Sequence, residues 1–368
     1  MSDTASALVP LRTPAGPRLV RGVLWLHGAL EWLAWRLLPP ELRVVDAAIG
    51  PAKVYALRAA IRVGVFDALA EGPRTACELA AALGLDPDAT RRLLRALGAR
   101  DLVRVDPDGR FTATPTGARC VRGGGVAAFV EYFTAPANLR AWERFEDVLR
   151  TGASSFADAN GRSVWAWFDE HPDDLARFAD AMAFLTVSDA PAIATGYPFE
   201  RCPDLCDVGG GRGTLAGEIL RRHPSVRVTI VDRPGVLPHA DRHLDALGVR
   251  ARVALVAGDF FCGVPAGHAA YLLKNVLHDW DDPRSVEILR VIRAGCAPGT
   301  TLLVVEERLD PLEFGRSSMT DIQMLVVCDG GRERSEAEFV ALMGAAGFQW
   351  IRTWPTGSLQ YVFEAIAV

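Results

Sequence analysis

From residue 204 onward the chain alternates between short β-rich runs and helical segments. The runs are DLCDVGG, VRVTIVD, ARVALVAGDF, HAAYLLKN and TTLLVVEE. Strands separated by helices in this way pair in parallel, so the pattern predicts a doubly wound α/β sheet over residues 201–368. The final stretch, TWPTGSLQYVFEAIAV, adds strand character that would close the sheet as a hairpin. In open sheets of this kind ligands bind outside the carboxyl ends of the strands. Chemistry is therefore expected where these runs end.

Three successive runs end on an acid. In CDVGGGRGTLAGEIL the strand ends at Asp207, and Gly209, Gly210, Gly211 and Gly213 turn the chain before a helix begins near Thr214. Glycines allow both a tight turn and a ligand close to the backbone. A glycine loop alone is weak evidence, because several nucleotide-like cofactors use one. The spacing here is Asp-x-Gly-x-Gly-x-Gly, not the Gly-x-Gly-x-x-Gly dinucleotide fingerprint. Asp232 ends the next run, where a carboxylate can accept two hydrogen bonds from ribose hydroxyls. Asp259 and Phe260 end the third, an acid to hold an adenine amino group and a ring to cover its face. Each acid alone reads equally well as a cap or a surface charge; three in succession do not.

The fourth run opens into LLKNVLHDWDD, residues 272–282. Alone, His278 reads more readily as a loop or cap histidine than as a base. Asp279 and Asp281 read as capping and turn residues, and Trp280 as a packing anchor.

The first half of the chain is helical. Residues 1–17 are rich in Pro, Ser and Thr and read as a disordered tail. Over 18–38, His27 and Glu31 share one narrow polar stripe, while Leu24, Trp25, Leu26, Leu30, Trp32, Leu33 and Trp35 cover the rest. Such a helix must be buried, and a subunit interface is the favoured place. It falls short of the ~20 clean apolar residues of a membrane span, and no small-x-small cleavage site follows. Thr75 and Glu78 have capping-box spacing, with Gly84 at the helix end. A second helix, DPDATRRLLRALGAR, places Leu93, Leu94 and Leu97 on one face. DLVRV, the turn DPDG with Gly109, and RFTAT then read as a hairpin. Helix, helix and two-stranded wing over 18–124 make a winged-helix pattern. Residues 125–200 are helical and aromatic, a linker and acceptor-pocket region.

These motifs, in this order, resemble the family of S-adenosylmethionine-dependent small-molecule O-methyltransferases that includes plant caffeate and hydroxyindole methyltransferases and bacterial polyketide-tailoring enzymes. The resemblance covers residues 45–368 and rests on DVGGGRG, VDRP, GDFF, LKNVLHDWDD and GGRERSEAEF. It implies a Rossmann-like domain that binds S-adenosylmethionine, with an N-terminal winged-helix dimerisation domain and a homodimer. It implies that Asp207, Gly209, Gly211 and Gly213 shape the cofactor loop, that Asp232 binds the ribose, and that Asp259 and Phe260 flank the adenine. Lys274 would contact the cofactor. His278 stands at the general-base position, and Glu306 and Glu333 at its two flanking glutamates. Met182, Met324 and Cys328 align loosely with acceptor-pocket positions.

Elementary chemistry agrees with that assignment. Methyl transfer needs the acceptor aligned and its proton removed. A phenol with a pKa near ~10 holds its proton at neutral pH. A histidine can take it, and a carboxylate on the other ring nitrogen would fix the tautomer and stabilise the imidazolium. Glu306, at the end of the strand after the one leading to His278, is placed for this. The expected acceptor is a hydroxyl, phenolic, on an aromatic natural product that is either free or carrier-bound.

Composition narrows the alternatives. A net charge of −5 argues against a mainly nucleic-acid-binding role, although Arg91, Arg92, Arg95 and Arg100 could mark a recognition helix. The basic residues are nearly all Arg, with Lys53 and Lys274 the two lysines. The seven cysteines are scattered; they lack zinc spacing and a disulfide framework, which fits a reducing cytoplasm. No carboxylate cluster for a divalent ion is evident, so no metal is expected. Two alternatives keep the cofactor: N- or C-methylation, and a relative that does not methylate. A third is a ligand-sensing winged-helix regulator.

Overall fold

The protein was analysed as a computed structural model, which describes residues 17–309 and 316–368. The tail expected over residues 1–17 therefore lies, apart from Pro17, outside the described residues. The chain forms two compact units: among the described residues the first runs from Leu26 to Ala135, and the second takes Pro136–Val368 together with the residues up to Trp25.

The first unit carries a small sheet of β1 (Arg74–Thr75), β2 (Val103–Val105) and β3 (Arg110–Ala113), in the order β1-β3-β2 and antiparallel throughout. The expected hairpin forms with Val103 opposite Ala113. Asp106 Oδ1 closes its turn by accepting the N–H groups of Asp108 and Arg110. Thr75 and Glu78 make the capping box on the helix Ala76–Leu83. On the next helix, Pro87–Gly98, Leu94 and Leu97 are buried with Ile61, Phe66 and Leu79. Arg91 and Arg92, candidates for reading DNA, both pair with Asp88 one turn back.

The helix expected over 18–38 spans Pro17–Arg36. Of the residues expected to be buried, Leu26, Leu30 and Leu33 are each more than half exposed, while the side chains of Leu24, Trp25, Trp32 and Trp35 lie outside the described residues. Leu42, Val45 and Ile49 further along are exposed as well. Among the described residues no helix is long and apolar enough to cross a membrane.

The second unit is built on a seven-stranded sheet. Its strands are β4 (Asp204–Val208), β5 (Arg227–Asp232), β6 (Val253–Ala257), β7 (Ala270–Lys274), β8 (Thr301–Glu307), β9 (Phe348–Pro355) and β10 (Gln360–Ala367). The order is β6-β5-β4-β7-β8-β10-β9. Strands β4 to β8 are parallel; β10 runs antiparallel between β8 and β9. The C-terminal hairpin thus supplies the antiparallel edge of an otherwise parallel sheet.

Alternation along the strands separates two cores. Leu205, Ile230, Leu272 and Leu303 face one, with Ile193, Ile219 and Leu244 from covering helices. Cys206, Val231, Leu273 and Val304 face the other, with Ile288, Ile292, Phe339 and Met343. A strand covered on both faces reads as a continuous apolar run, which is why these runs are so legible in the sequence. The chain winds outward from β4 to β6, then returns to the other side of β4 with β7. Strand order reverses there, and the loops after β4 and β7 open into the crevice that such a reversal creates.

Candidate active site

The glycine loop is shaped by the acid at the tip of the neighbouring strand. Asp232 Oδ2 accepts the Gly211 N–H at 2.7 Å, and Oδ1 accepts the Arg233 N–H at 2.7 Å. Gly211 and Gly213 have φ of +58° and +70°, in the left-handed region that costs an L-residue roughly 1–2 kcal/mol. Each Asp232 oxygen keeps a second lone pair for a ligand hydroxyl. Burial pushes this carboxyl's pKa up, while the two N–H donors pull it down. Asp207, buried beneath the loop, is pushed up to about 7, first by burial and then by Asp232, with Lys274 opposing.

Asp259 and Phe260 follow β6. Asp259 Oδ1 accepts the Phe261 N–H at 2.9 Å. Phe260 and Phe261 meet the edge or face of Trp280, with centroids 6.3 and 4.7 Å away. Trp280 in turn stacks on Trp165 at 5.6 Å. Trp165 comes from the helix Val164–Glu170, whose Asp169 and Trp165 carbonyl both accept from Arg233. The indole N–H groups of Trp165 and Trp280 are buried with no partner. Buried donors in native proteins are rarely left unmet, so a water or a polar ligand is the expected acceptor at each. Trp165 was not singled out from the sequence, since one Trp among the aromatics of SVWAWFDEHP carries no distinguishing spacing.

Lys274 ends β7. It is half-buried, and its Nζ donates to Asn275 Oδ1 at 3.3 Å. Burial pushes its pKa down, against the pull of Asp189, Glu306, Glu307 and Asp207.

Beyond Lys274 a single 3₁₀ turn, Leu277–Asp279, presents His278, which is 8% exposed. His278 Nδ1 lies 2.8 Å from Glu333 Oε1 and 3.7 Å from Glu306 Oε2. Glu306 spends its other oxygen on the backbone, accepting the N–H groups of Val276 and Leu277 at 3.0 Å each. The two glutamates thus divide the work: Glu333 meets the imidazole, and Glu306 braces the turn that carries it. The direct contact falls to Glu333 rather than to Glu306, where strand order alone had suggested it. With Nδ1–H donated to a carboxylate, Nε2 carries the lone pair of the neutral ring. Burial by itself would lower the His278 pKa. Glu306, Glu333 and Asp279 outweigh it and push it up to about 10.

Asp279 is more than a turn residue. Its side chain is 14% exposed, and Oδ1 stands 3.7 Å from His278 Nε2. The thiol of Cys328 donates to the same oxygen at 3.6 Å. Burial pushes the Asp279 pKa up to about 6, with His278 and Cys328 opposing. Asp281 does cap, accepting the Arg284 N–H at the start of the helix Asp282–Ala294. Of the three acceptor-pocket candidates, Cys328 is tied to the site through Asp279. Met182 and Met324 are half-buried, on the helices Pro172–Gly196 and Arg316–Val327.

His278, Glu306 and Glu333 also place one ligand atom each within 4.8 Å of one another. A cation there would need the Nδ1 lone pair, which a ring hydrogen-bonded through Nδ1–H to Glu333 does not offer. The geometry fits an oriented imidazole better than a metal ligand.

Sheet reversal, glycine loop and carboxylate-backed histidine together define a nucleotide-cofactor-dependent group-transfer enzyme. Residues 142–349 match the O-methyltransferase domain family, and residues 46–123 the O-methyltransferase dimerisation domain. A mitomycin biosynthesis 6-O-methyltransferase of Streptomyces lavendulae is 36% identical over 321 residues, which is 86% of this chain and 92% of that one. An 8-amino-8-demethylriboflavin N,N-dimethyltransferase of Streptomyces davaonensis is 32% identical over 84% of this chain and 90% of its own. Among solved structures, an O-methyltransferase from neocarzinostatin biosynthesis, in complex with S-adenosylmethionine and 2-hydroxy-5-methyl naphthoic acid, superposes with a TM-score of 0.72. It is 32% identical and covers 86% of this chain and 96% of that one. The chain belongs to the S-adenosylmethionine-dependent small-molecule O-methyltransferase family, as the sequence motifs implied, and it is an S-adenosylmethionine-dependent methyltransferase.

Proposed function

We propose that this enzyme methylates a phenolic hydroxyl of an aromatic natural product, with His278 Nε2 as the general base. The observation that carries the reading is the 2.8 Å contact between His278 Nδ1 and Glu333 Oε1. It fixes the tautomer that leaves Nε2 free to take a proton, and it stabilises the imidazolium that results. A ring pKa of about 10 matches that of an ordinary phenol, ~10, so the proton transfer is close to balanced.

S-adenosylmethionine, when bound, supplies a methyl group already activated on a sulfonium. The residues suited to hold it are Asp232 for the ribose hydroxyls, Asp259 and Phe260 for the adenine, and the loop of Asp207, Gly209, Gly211 and Gly213 for close backbone approach. Lys274 and the unpartnered Trp165 and Trp280 indoles complete the wall. Asp279, beside Nε2, is placed to meet a polar group of the acceptor; Cys328, behind it, and Met182 and Met324 are the proposed apolar lining.

The exposed apolar residues Leu26, Leu30, Leu33, Leu42 and Val45 would be covered by a second copy of the chain, in keeping with the adjoining dimerisation domain. An aromatic amine is the second reading for the acceptor, favoured by the N,N-dimethyltransferase relative.

The test is a panel of phenolic and anilinic acceptors with labelled cofactor, run on the wild-type enzyme and on His278→Ala. The variant is expected to bind cofactor normally and lose most turnover. Near-normal methylation by it would remove His278 from the chemistry.

A further inference from the structure

The residue after Glu333 is the largest side chain with no exposed surface among the described residues: Arg334, at 0%. A guanidinium out of water is costly unless its donors are met. Here they are met by one short segment. Nη1 donates to Leu277 O at 2.8 Å and Nη2 to Trp280 O at 2.7 Å. Nε and Nη2 both donate to Asp282 Oδ1, at 3.0 and 2.8 Å. The two carbonyls flank His278 on either side. A third tie comes from the preceding residue but one, where the Arg332 N–H donates to the carbonyl of His278 itself at 2.8 Å. Ser285 Oγ adds a weaker bond to Leu277 O at 3.2 Å. The Leu309 N–H, just past β8, donates to the Arg334 carbonyl at 2.9 Å, which anchors the segment to the strand that bears Glu306.

One run of three residues therefore holds both ends of the His278–Glu333 contact. Glu333 grips the ring, and Arg334 grips the backbone that carries the ring. Their adjacency makes the Nδ1–Oε1 distance a property of a single segment rather than of two independently moving loops. A planar fork with donors on three nitrogens suits two carbonyls and a carboxylate at fixed angles; an ammonium or an apolar side chain of similar volume does not. The counter-charge, Asp282, is half exposed, so charge pairing alone is a weak reason to bury an arginine there.

We infer that Arg334 is a positioning residue: by clamping the carbonyls of Leu277 and Trp280 it fixes His278 against Glu333 and aims Nε2 at the acceptor. The inference rests on the reading of His278 as the base.

The test uses the full-length enzyme as Arg334→Lys, with Asp282→Asn as a milder, surface-side variant. Four quantities are read: kcat, cofactor affinity, thermal midpoint, and the imidazole pKa of His278 from the NMR titration of histidine-labelled protein. Arg334→Lys should keep cofactor affinity and lose kcat by roughly 10–100-fold, the size seen for partners that orient metal-bound histidines. The imidazole pKa should fall as Glu333 is loosened, its other neighbours Glu306 and Asp279 remaining. Asp282→Asn should move kcat and the pKa the same way by less. In Glu333→Gln, adding Arg334→Lys should cost little more, because the contact it protects is already weakened. Wild-type kcat and an unshifted imidazole pKa in Arg334→Lys, with His278→Ala inactive, would overturn the inference. If Arg334→Lys does not fold, the same outcome in Asp282→Asn overturns it. Should His278→Ala stay active, the base assignment fails instead, and the pKa shift still decides whether Arg334 sets the ring.

Discussion

His278 Nδ1 sits 2.8 Å from Glu333 Oε1, while Glu306 stays 3.7 Å away and gives its other oxygen to the backbone of the turn. Glu333→Gln keeps the size of the side chain and removes the charge that would steady an imidazolium. It is expected to leave cofactor affinity, measured by calorimetry, unchanged and to lower kcat by roughly 10–100-fold. An unchanged kcat would show that the contact does not serve the reaction.

The same contact sets the direction of the pH dependence. Glu306, Glu333 and Asp279 raise the His278 pKa to about 10 against the effect of burial. A base works when unprotonated, so kcat/KM should climb through the alkaline range rather than level off just above the ordinary histidine value of ~6.5. In Glu333→Gln one raising charge is gone, so the rising limb should move to lower pH while its plateau drops. A pH–rate profile of both enzymes on one acceptor checks this. Limbs that coincide near the ordinary histidine value would contradict it.

The sequence made the sheet easy to see and the site only partly so, and the difference has a physical cause. Strands such as β7 and β8 are covered on both faces and so appear as unbroken apolar runs. The acids at strand tips stand out against those runs. Asp279 does not, because an Asp in a turn looks the same whether it caps a helix, as Asp281 does, or lies beside a buried imidazole nitrogen, as Asp279 does beside His278 Nε2. Arg334 was hidden differently: in an Arg-rich chain its type carries no signal, and only its 0% exposure marks it. The division between Glu306 and Glu333 depends on how the segment 332–334 folds back onto Leu277–Asp282, a long-range contact that periodicity does not encode. The helix Pro17–Arg36 shows the reverse case, where Leu26, Leu30 and Leu33 are plain in the sequence as apolar positions and stand more than half exposed.

Asp232 holds the glycine loop through the Gly211 N–H, and it is the residue proposed to bind the ribose. Asp232→Ala is therefore expected to weaken cofactor binding by tenfold or more, about 1.4 kcal/mol or above. Calorimetric titration with S-adenosylhomocysteine reads this directly. An unaltered dissociation constant would undo the assignment.

His278, Glu306 and Glu333 are close enough to be taken for a metal site. If the imidazole is oriented by a carboxylate instead, dialysis against a strong chelator should leave turnover intact. Loss of activity that a divalent cation restores would hand the three residues to a metal.

Two glycines of the loop after β4 separate conformation from space. Gly211 has φ +58° and nothing within 4 Å of where a Cβ would stand; Gly213 has φ +70° and its Cβ would lie 2.9 Å from Ile230 Cδ1 and 3.1 Å from Leu244 Cδ1. Gly211→Ala should cost only the left-handed conformation, about 1–2 kcal/mol. Gly213→Ala carries that same term plus crowding of two core side chains, for which overpacking adds about 1–3 kcal/mol. Thermal melts should therefore rank wild type above Gly211→Ala and Gly211→Ala above Gly213→Ala. Cofactor affinity is expected to invert that order, because the Gly211 N–H is the one bonded to Asp232 and any shift of the loop there moves the carboxylate proposed to hold the ribose. If Gly213→Ala melts like wild type, the loop is looser than its packing against Ile230 and Leu244 implies.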